Sequence, residues 1–180
     1  AILSKYETAI IGPVYSYNCN ALFLNGFDVL KTTYVDFTKM VQHRYLQESQ
    51  ILMDGDTIKL VVTHLDWNQG DNGAAYRTLQ IKELIRRYKD DKFVILCADW
   101  NVSNGVTEYD AFTAAGYYMV NHGASGNLKT FPAENPKSCL DNIIVKGLSI
   151  ASANTKVHAR ADLSDHCALS SLLLKKSVTG

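Results

Sequence analysis

The sequence predicts an α+β sandwich of mostly antiparallel sheets with helices on the outside. Strand-like runs outnumber helical ones, a tight hairpin joins two of them, and the central runs are apolar throughout, as in strands covered on both faces. The chain has 180 residues, so one domain over residues 1–180 is expected, burying about 70% of its extended surface.

In "RYLQESQILMDGDTIKLVVTHL", two extended runs flank Asp54-Gly55, where glycine supplies the positive φ of a tight turn, and the second run ends at His64. "GAAYRTLQIKELIRRYKD" sets Ile81, Leu84, Ile85 and Tyr88 at helical spacing, with Lys82, Arg86 and Lys89 off that face. This outer helix leads into "FVILCADWNVSNG", an apolar strand that ends by delivering Asp99 and Asn101. A second helix is expected over residues 108–115, stopped near Gly116. Residues 121–136, with Gly, Ser, Asn and Pro throughout, read as a long loop. "LDNIIV", "SIASANTKVHA" and "CALSSLLL" then read as three more strands.

Eighteen basic residues balance eighteen acidic ones, which argues against a strongly basic surface for gripping long nucleic acid. No apolar run is long enough to cross a membrane, and there is no internal repeat or low-complexity tract. Cys19, Cys97, Cys139 and Cys167 form no C-x-x-C pair, which argues against zinc ribbons and dithiol redox chemistry. Read as buried free thiols, they favour a reducing, cytoplasmic location, and a monomer is expected.

Polar groups recur where strands meet loops: His64, then Asp99 and Asn101, then Asp141, then Asp165 and His166. Each has an ordinary reading. Asp99-x-Asn101 fits an Asx-turn closing a strand, Ser164-Asp165-His166 fits turn chemistry, and a single His64 fits a satisfied surface histidine. Asn101-Val102-Ser103 spells a glycosylation acceptor, a tripeptide common by chance. Lys82, Arg86, Arg87 and Lys89 fit a solvated helix face better than a binding patch. If the strand ends share one rim, the polar groups converge.

Their order resembles the endonuclease/exonuclease/phosphatase family of DNase I-like phosphoesterases. "THLDW" resembles that family's T-H-L motif and "CADWN" its G-D-F-N. "TFPAENPKSCLDNIIV" resembles its T-F-P segment followed by I-D-Y-I, and "LSDHCAL" its terminal S-D-H-x-P. "AILSKY" resembles the strand that follows the family's acidic metal motif. The resemblance spans essentially the whole chain and implies a DNase I-like four-layer α/β/β/α sandwich.

It also implies a phosphoesterase dependent on Mg²⁺ or Mn²⁺, hydrolysing a phosphodiester or phosphomonoester by in-line attack of water. Asp99, Asn101 and Asp165 would line the metal and phosphate site, Asp141 would orient His166 as the catalytic imidazole, and His64 would contact the scissile phosphate. Hard oxygen donors suit these ions, and a carboxylate behind a histidine fixes its tautomer. The partner implied is a phosphate-ester substrate: nucleic acid, a phospholipid headgroup or a small molecule. Near-neutral charge favours something other than long duplexes, with His122, Asn127, Lys129 and Tyr117 as loop residues able to shape specificity.

The sequence departs from the pattern in places. Trp100 replaces the usual Phe and Ala98 the usual Gly, Asn142 stands where Tyr is common and Cys139 where Arg is common, so contacts behind Asp141 are expected to differ. Family members carry an Asn and a metal-binding Glu upstream of the "AILSKY"-like strand, and Glu7, Glu48, Glu83, Glu108 and Glu134 do not sit in that context. The expectation is an N-terminally incomplete, C-terminal portion of the domain that holds Mg²⁺ weakly. Two alternatives remain at this level: a binding module on the same scaffold, and a metal-free hydrolase using Ser164 or Cys167 with His166 and Asp141.

Overall fold

The structure is a computed structural model that describes residues 9–10, 23–24, 28–36, 44–68, 70–102, 107–121, 128–150 and 155–175. Several sequence expectations lie outside the described residues: the "AILSKY" segment, Glu7, Cys19, Ser103 of the glycosylation tripeptide, and His122 and Asn127 of the loop.

The strands are β1 (Ala9–Ile10), β2 (Phe23–Leu24), β3 (Asp28–Asp36), β4 (Tyr45–Met53), β5 (Asp56–His64), β6 (Val94–Asp99), β7 (Tyr118–Met119), β8 (Asp141–Lys146), β9 (Leu148–Ile150), β10 (Lys156–His158), β11 (Ala168–Ser170) and β12 (Leu173–Lys175). Helix α1 (Asp71–Arg87) joins β5 to β6, and a 3-10 turn (Thr107–Tyr109) runs into α2 (Asp110–Ala114). Gly116, at φ 79°, closes the second helical region as its position suggests. At the hairpin tip Asp54 (φ 49°) and Gly55 (φ 78°) are both left-handed, which matches the twist of the flanking strands.

Six strands form one sheet in the order β3-β4-β5-β6-β8-β7. The β5–β6 pair is parallel, which requires a crossover, and α1 supplies it. The other pairs are antiparallel.

Alternation along β6 shows how both faces are filled. Val94, Leu96 and Ala98 join Ile81 and Leu84 of α1, Tyr88 at its C-terminal cap and Phe112 of α2 in one core. Ile95 and Cys97 pack instead with Ile58, Leu60, Val62 and Val145, and with Leu148 and Leu173 of the β9–β12 pair. Helices, central sheet and a second strand layer thus stack in that order, and with both faces covered the strand pattern becomes a continuous apolar run. Ile81, Leu84 and Tyr88 are buried and Ile85 packs beside them, as the helical spacing predicts.

One difference concerns the last strands. "CALSSLLL" divides in two at residues 171–172, so that β9 pairs with β12 and β10 with β11. A hydroxyl pair at the break, Thr155 Oγ1 and Ser171 Oγ at 3.1 Å, ties the two halves of the ribbon across it.

The helical face also buries a charge. Glu48 accepts hydrogen bonds from Lys59 Nζ and the Tyr88 hydroxyl, both at 3.0 Å, and lies 3.6 Å from Arg87. Burial pushes its carboxyl up, but the ion pair and hydrogen bonds outweigh that and hold it below its ordinary value. A carboxyl lowered in the folded state adds stability above its unfolded value, near pH 4.5, and loses it as pH falls through the folded value. Glu48→Gln should therefore cost about 1–3 kcal/mol at neutral pH. Urea melts of both proteins between pH 7 and 3 should show that gap narrowing at the acid end, and a gap that does not change with pH would remove the charge from the explanation.

Candidate active site

The site begins with strand register. His64 is the direct partner of Asp99 across the parallel β5–β6 pair, and Asp99 is the direct partner of Asp141 across the antiparallel β6–β8 pair. Directly paired residues point to one face of the sheet. On that face, two rows further in repeat the alignment with apolar residues: Val62, Cys97 and Ile143, then Leu60, Ile95 and Val145. The row of His64, Asp99 and Asp141 is where the apolar inner face reaches the rim and turns polar.

Trp100 fixes this end of the sheet. Its ring is fully buried, sits edge-on to Phe112 at 5.3 Å and to Tyr109 at 6.4 Å, and donates from Nε1 to the Asn142 carbonyl at 3.0 Å. Asp99 and Asn101, on either side, are held by that anchor. The Asn101 backbone, at φ 52°, donates its N–H to Asp99 Oδ1 at 2.9 Å, which is the Asx-turn considered above. That turn occupies one oxygen of Asp99 and leaves Oδ2 for the site.

His166 arrives from the bend before β11. Its Nδ1 and Asp141 Oδ2 are hydrogen-bonded at 2.7 Å, and its Nε2 lies 3.7 Å from Asp99 Oδ2. His64 Nε2 approaches the same oxygen at 3.4 Å. Thr130, fully buried, holds both partners of the short bond: its Oγ1 accepts from the Leu140 and Asp141 backbone N–H groups, both at 3.2 Å, and its carbonyl accepts from Cys167 N at 2.7 Å. The Phe131 ring lies against the His166 imidazole, centroids 4.7 Å apart.

The two imidazoles are driven in opposite directions. Burial lowers His64 below the ordinary histidine value, despite Asp99 beside it. The bond to Asp141 raises His166. Asp99 is raised by burial, against the opposing pull of His64. Two like groups pushed apart on either side of one carboxylate can divide proton-donating and proton-accepting work.

The six residues expected at the site are not all brought together. His64, Asp99, Asp141 and His166 form the cluster. Asn101 sits directly behind it with its Nδ2 donating to the Leu65 carbonyl at 3.1 Å, which leaves the amide oxygen as its acceptor. Asp165 lies in the same bend as His166 and is exposed, and its charge acts on the His166 ring from there. Among the described His, Cys, Asp and Glu side chains, ligand atoms of Asp99, Asp141 and His166 lie within 4.8 Å of one another. The metal-free alternative names Ser164 and Cys167 as its nucleophiles. Ser164 Oγ accepts from the His166 backbone N–H at 3.1 Å, and Cys167 is 3% exposed with its thiol raised by burial.

The departures behind Asp141 have a structural counterpart. Asn142 Oδ1 accepts the Asn121 N–H at 2.9 Å, and Asn121 Nδ2 donates to Cys139 Sγ at 2.9 Å and to the Asp141 carbonyl at 3.2 Å. Arg44 was not singled out from sequence. It is 4% exposed, burial lowers its guanidinium, and the charges of Asp66 and Asp99 act against that shift. A charged residue placed at the mouth of a buried strand was the available signal.

These residues fit a divalent cation. Asp99 holds its proton more tightly than a free carboxyl because burial and the negative charge of Asp141 disfavour its anion. A cation beside Oδ2 reverses that penalty, and carboxylate and amide oxygens are the donors that hard cations take.

The fold matches solved structures. An endonuclease/exonuclease/phosphatase from Bacteroides vulgatus superimposes with a TM-score of 0.70 at 20% identity, over 87% of this chain and 70% of that one. The chain has the DNase I-like fold. Humanised D. rerio TDP2 shares that DNase I-like fold, with a TM-score of 0.67 at 18% identity over 83% of this chain and 68% of that one. So does a mannosyl-6-phosphatase from Bacteroides thetaiotaomicron, with a TM-score of 0.58 at 18% identity over 86% and 70%. No protein-family model matches the sequence, and no curated protein sequence matches it.

The opposed shifts on this DNase I-like rim are measurable. In an NMR titration of the metal-free protein, the His166 ring should protonate at higher pH than the His64 ring, and Asp141→Asn should bring His166 down. If His64 titrates first as pH falls, the hydrogen bond of the His166 ring to Asp141 does not govern His166.

Proposed function

We propose that the chain is a divalent-metal-dependent phosphoric ester hydrolase of the endonuclease/exonuclease/phosphatase type, acting on a phosphodiester or phosphomonoester by in-line attack of water. The observation that carries it is the Asp141–His166 pair, bonded at 2.7 Å and aimed with His64 at one oxygen of Asp99. The DNase I-like fold and neighbours whose names include a phosphatase support it.

Each residue has a task. Asp141 fixes the His166 tautomer and favours its cation, so Nε2 presents a proton or positive charge toward the reacting phosphate. His64, held toward its neutral form, donates one N–H to a phosphoryl oxygen on the other side. Asn101 offers its amide oxygen without adding charge, and its backbone N–H steadies Asp99. Asp99 would hold the metal, with Asn101 beside it, while Asp165 contributes charge near His166. Mg²⁺ or Mn²⁺, when bound, supplies charge neutralisation and polarisation of the phosphoryl group. Because these ions prefer oxygen, His166 Nε2 is left for the substrate.

In the full-length protein, His166→Ala should lower kcat by at least about a hundredfold, the scale of a lost general acid or base. EDTA should abolish hydrolysis and Mg²⁺ or Mn²⁺ restore it, while Asp99→Ala should weaken Mg²⁺ binding by calorimetry. Turnover that persists in EDTA, or a His166→Ala protein of normal kcat, would falsify this assignment.

A further inference from the structure

Beside His64 the rim carries two exposed aromatic side chains, Tyr45 at 37% and Trp67 at 61%. Leu46 pairs with Thr63, so Tyr45 falls next to His64 one position further on, and the Thr63 hydroxyl donates to the Tyr45 carbonyl at 3.0 Å. Leu46 belongs to the helical core, so alternation turns Tyr45 to the opposite face, the one that bears His64, Asp99 and Asp141. Trp67 follows His64 by three residues, a Cα separation of at most about 11 Å.

The backbone around Trp67 is fixed. Asp66 N–H donates to Gln80 Oε1 at 3.0 Å and Asn68 N–H to Asp66 Oδ1 at 2.8 Å. Arg77 Nη1 donates to the Asp66 and Asn68 carbonyls at 3.3 and 2.6 Å, and its Nε is paired with Glu108 at 2.8 Å. Gly70 N–H donates to Asn68 Oδ1 at 2.8 Å, and α1 closes on this loop so tightly that a Cβ on Gly73 would stand 1.7 Å from the Asn68 carbonyl oxygen. Asp66, Arg77 and Gln80 are themselves buried. An indole of this exposure on so constrained a loop needs little further ordering to bind a ring, and that is the condition for strong stacking. The chain's other tryptophan, Trp100, is fully buried.

Resting on the phosphoesterase reading above, we infer that Trp67 and Tyr45 hold the flat ring of the ester's organic half, and that the substrate is a nucleotide-type phosphate ester. With their Cα atoms at most about 11 Å apart, His64 and Trp67 are within the reach of one nucleotide that places its phosphate at the first and its base on the second. Between the aromatic rings and the row of His64, Asp99, Asp141 and His166, the rim recognises a group that is charged at one end and planar at the other. Base-on-indole stacking is sequence-tolerant and adds affinity that a bare phosphate cannot reach.

The test uses the full-length chain with Mg²⁺, carrying His166→Ala to stop turnover. Its probes are inorganic phosphate, ribose 5-phosphate, mannose 6-phosphate and AMP, titrated by calorimetry and by tryptophan fluorescence. AMP should quench the exposed indole and bind about tenfold tighter than ribose 5-phosphate, the scale of one stacked base. Adding Trp67→Ala should bring AMP to the level of ribose 5-phosphate without changing that of ribose 5-phosphate or phosphate, and Trp67→Phe should retain part of the gain. Equal binding of AMP and ribose 5-phosphate, or equal losses for both in Trp67→Ala, overturns the inference and leaves the phosphoesterase reading standing. Mannose 6-phosphate binding tighter than AMP through Trp67 overturns it in favour of a sugar ring. Failure of every probe, phosphate included, overturns both.

Discussion

The site depends on the pairing register of β5, β6 and β8. A shift of one residue in either pair would turn one member of the His64, Asp99 and Asp141 row to the helical face and bring its chain neighbour, Thr63 or Leu65, Leu140 or Asn142, to the rim. The register is secured by the rows beneath it. Val62, Cys97 and Ile143, and then Leu60, Ile95 and Val145, must stay on the inner face to be covered by β9 and β12. The hydrophobic effect thus positions three polar groups that contribute little burial of their own.

A second constraint brings His166 to that row from a distant part of the chain. Thr130 is the common point: its hydroxyl oxygen receives the N–H groups at the start of β8 and its carbonyl receives the N–H of Cys167. The neighbouring Ala133 N–H donates to the Asp165 carbonyl at 2.7 Å, so the residues on both sides of His166 are tied to the same short segment. The 2.7 Å contact between Asp141 and His166 is then set by backbone geometry and does not rely on the flexible ends of two side chains.

Electrostatics follows from this placement. Asp99 shares its two oxygens between a backbone turn and two imidazoles, and its neighbour Asp141 is engaged by one of them. The buried Arg44 charge and Asp99 act on one another, and the charges of Asp66 and Asp165 reach this rim as well, on Arg44 and His166. Histidine protonation shifts the local charge, and a cation is favoured where the histidines are neutral.

The sequence by itself determined the elements and their polar termini. Asp54-Gly55 announced the hairpin, the spacing of Ile81, Leu84 and Tyr88 announced the helix and its buried face, and uninterrupted apolar runs announced strands covered on both sides, because each of these is a local consequence of backbone geometry or periodicity. It also marked His64, Asp99, Asn101, Asp141, Asp165 and His166 as strand-end polar groups. Only the tertiary structure decided which of them meet. Asp165 and His166 are adjacent in sequence, yet one faces solvent and the other Asp141, since a bend orients neighbouring side chains independently. Arg44, Thr130 and Trp67 owe their places to contacts that they or their immediate neighbours make across other elements, through burial, strand pairing and the Arg77 and Gln80 bonds, and no local pattern encodes such contacts.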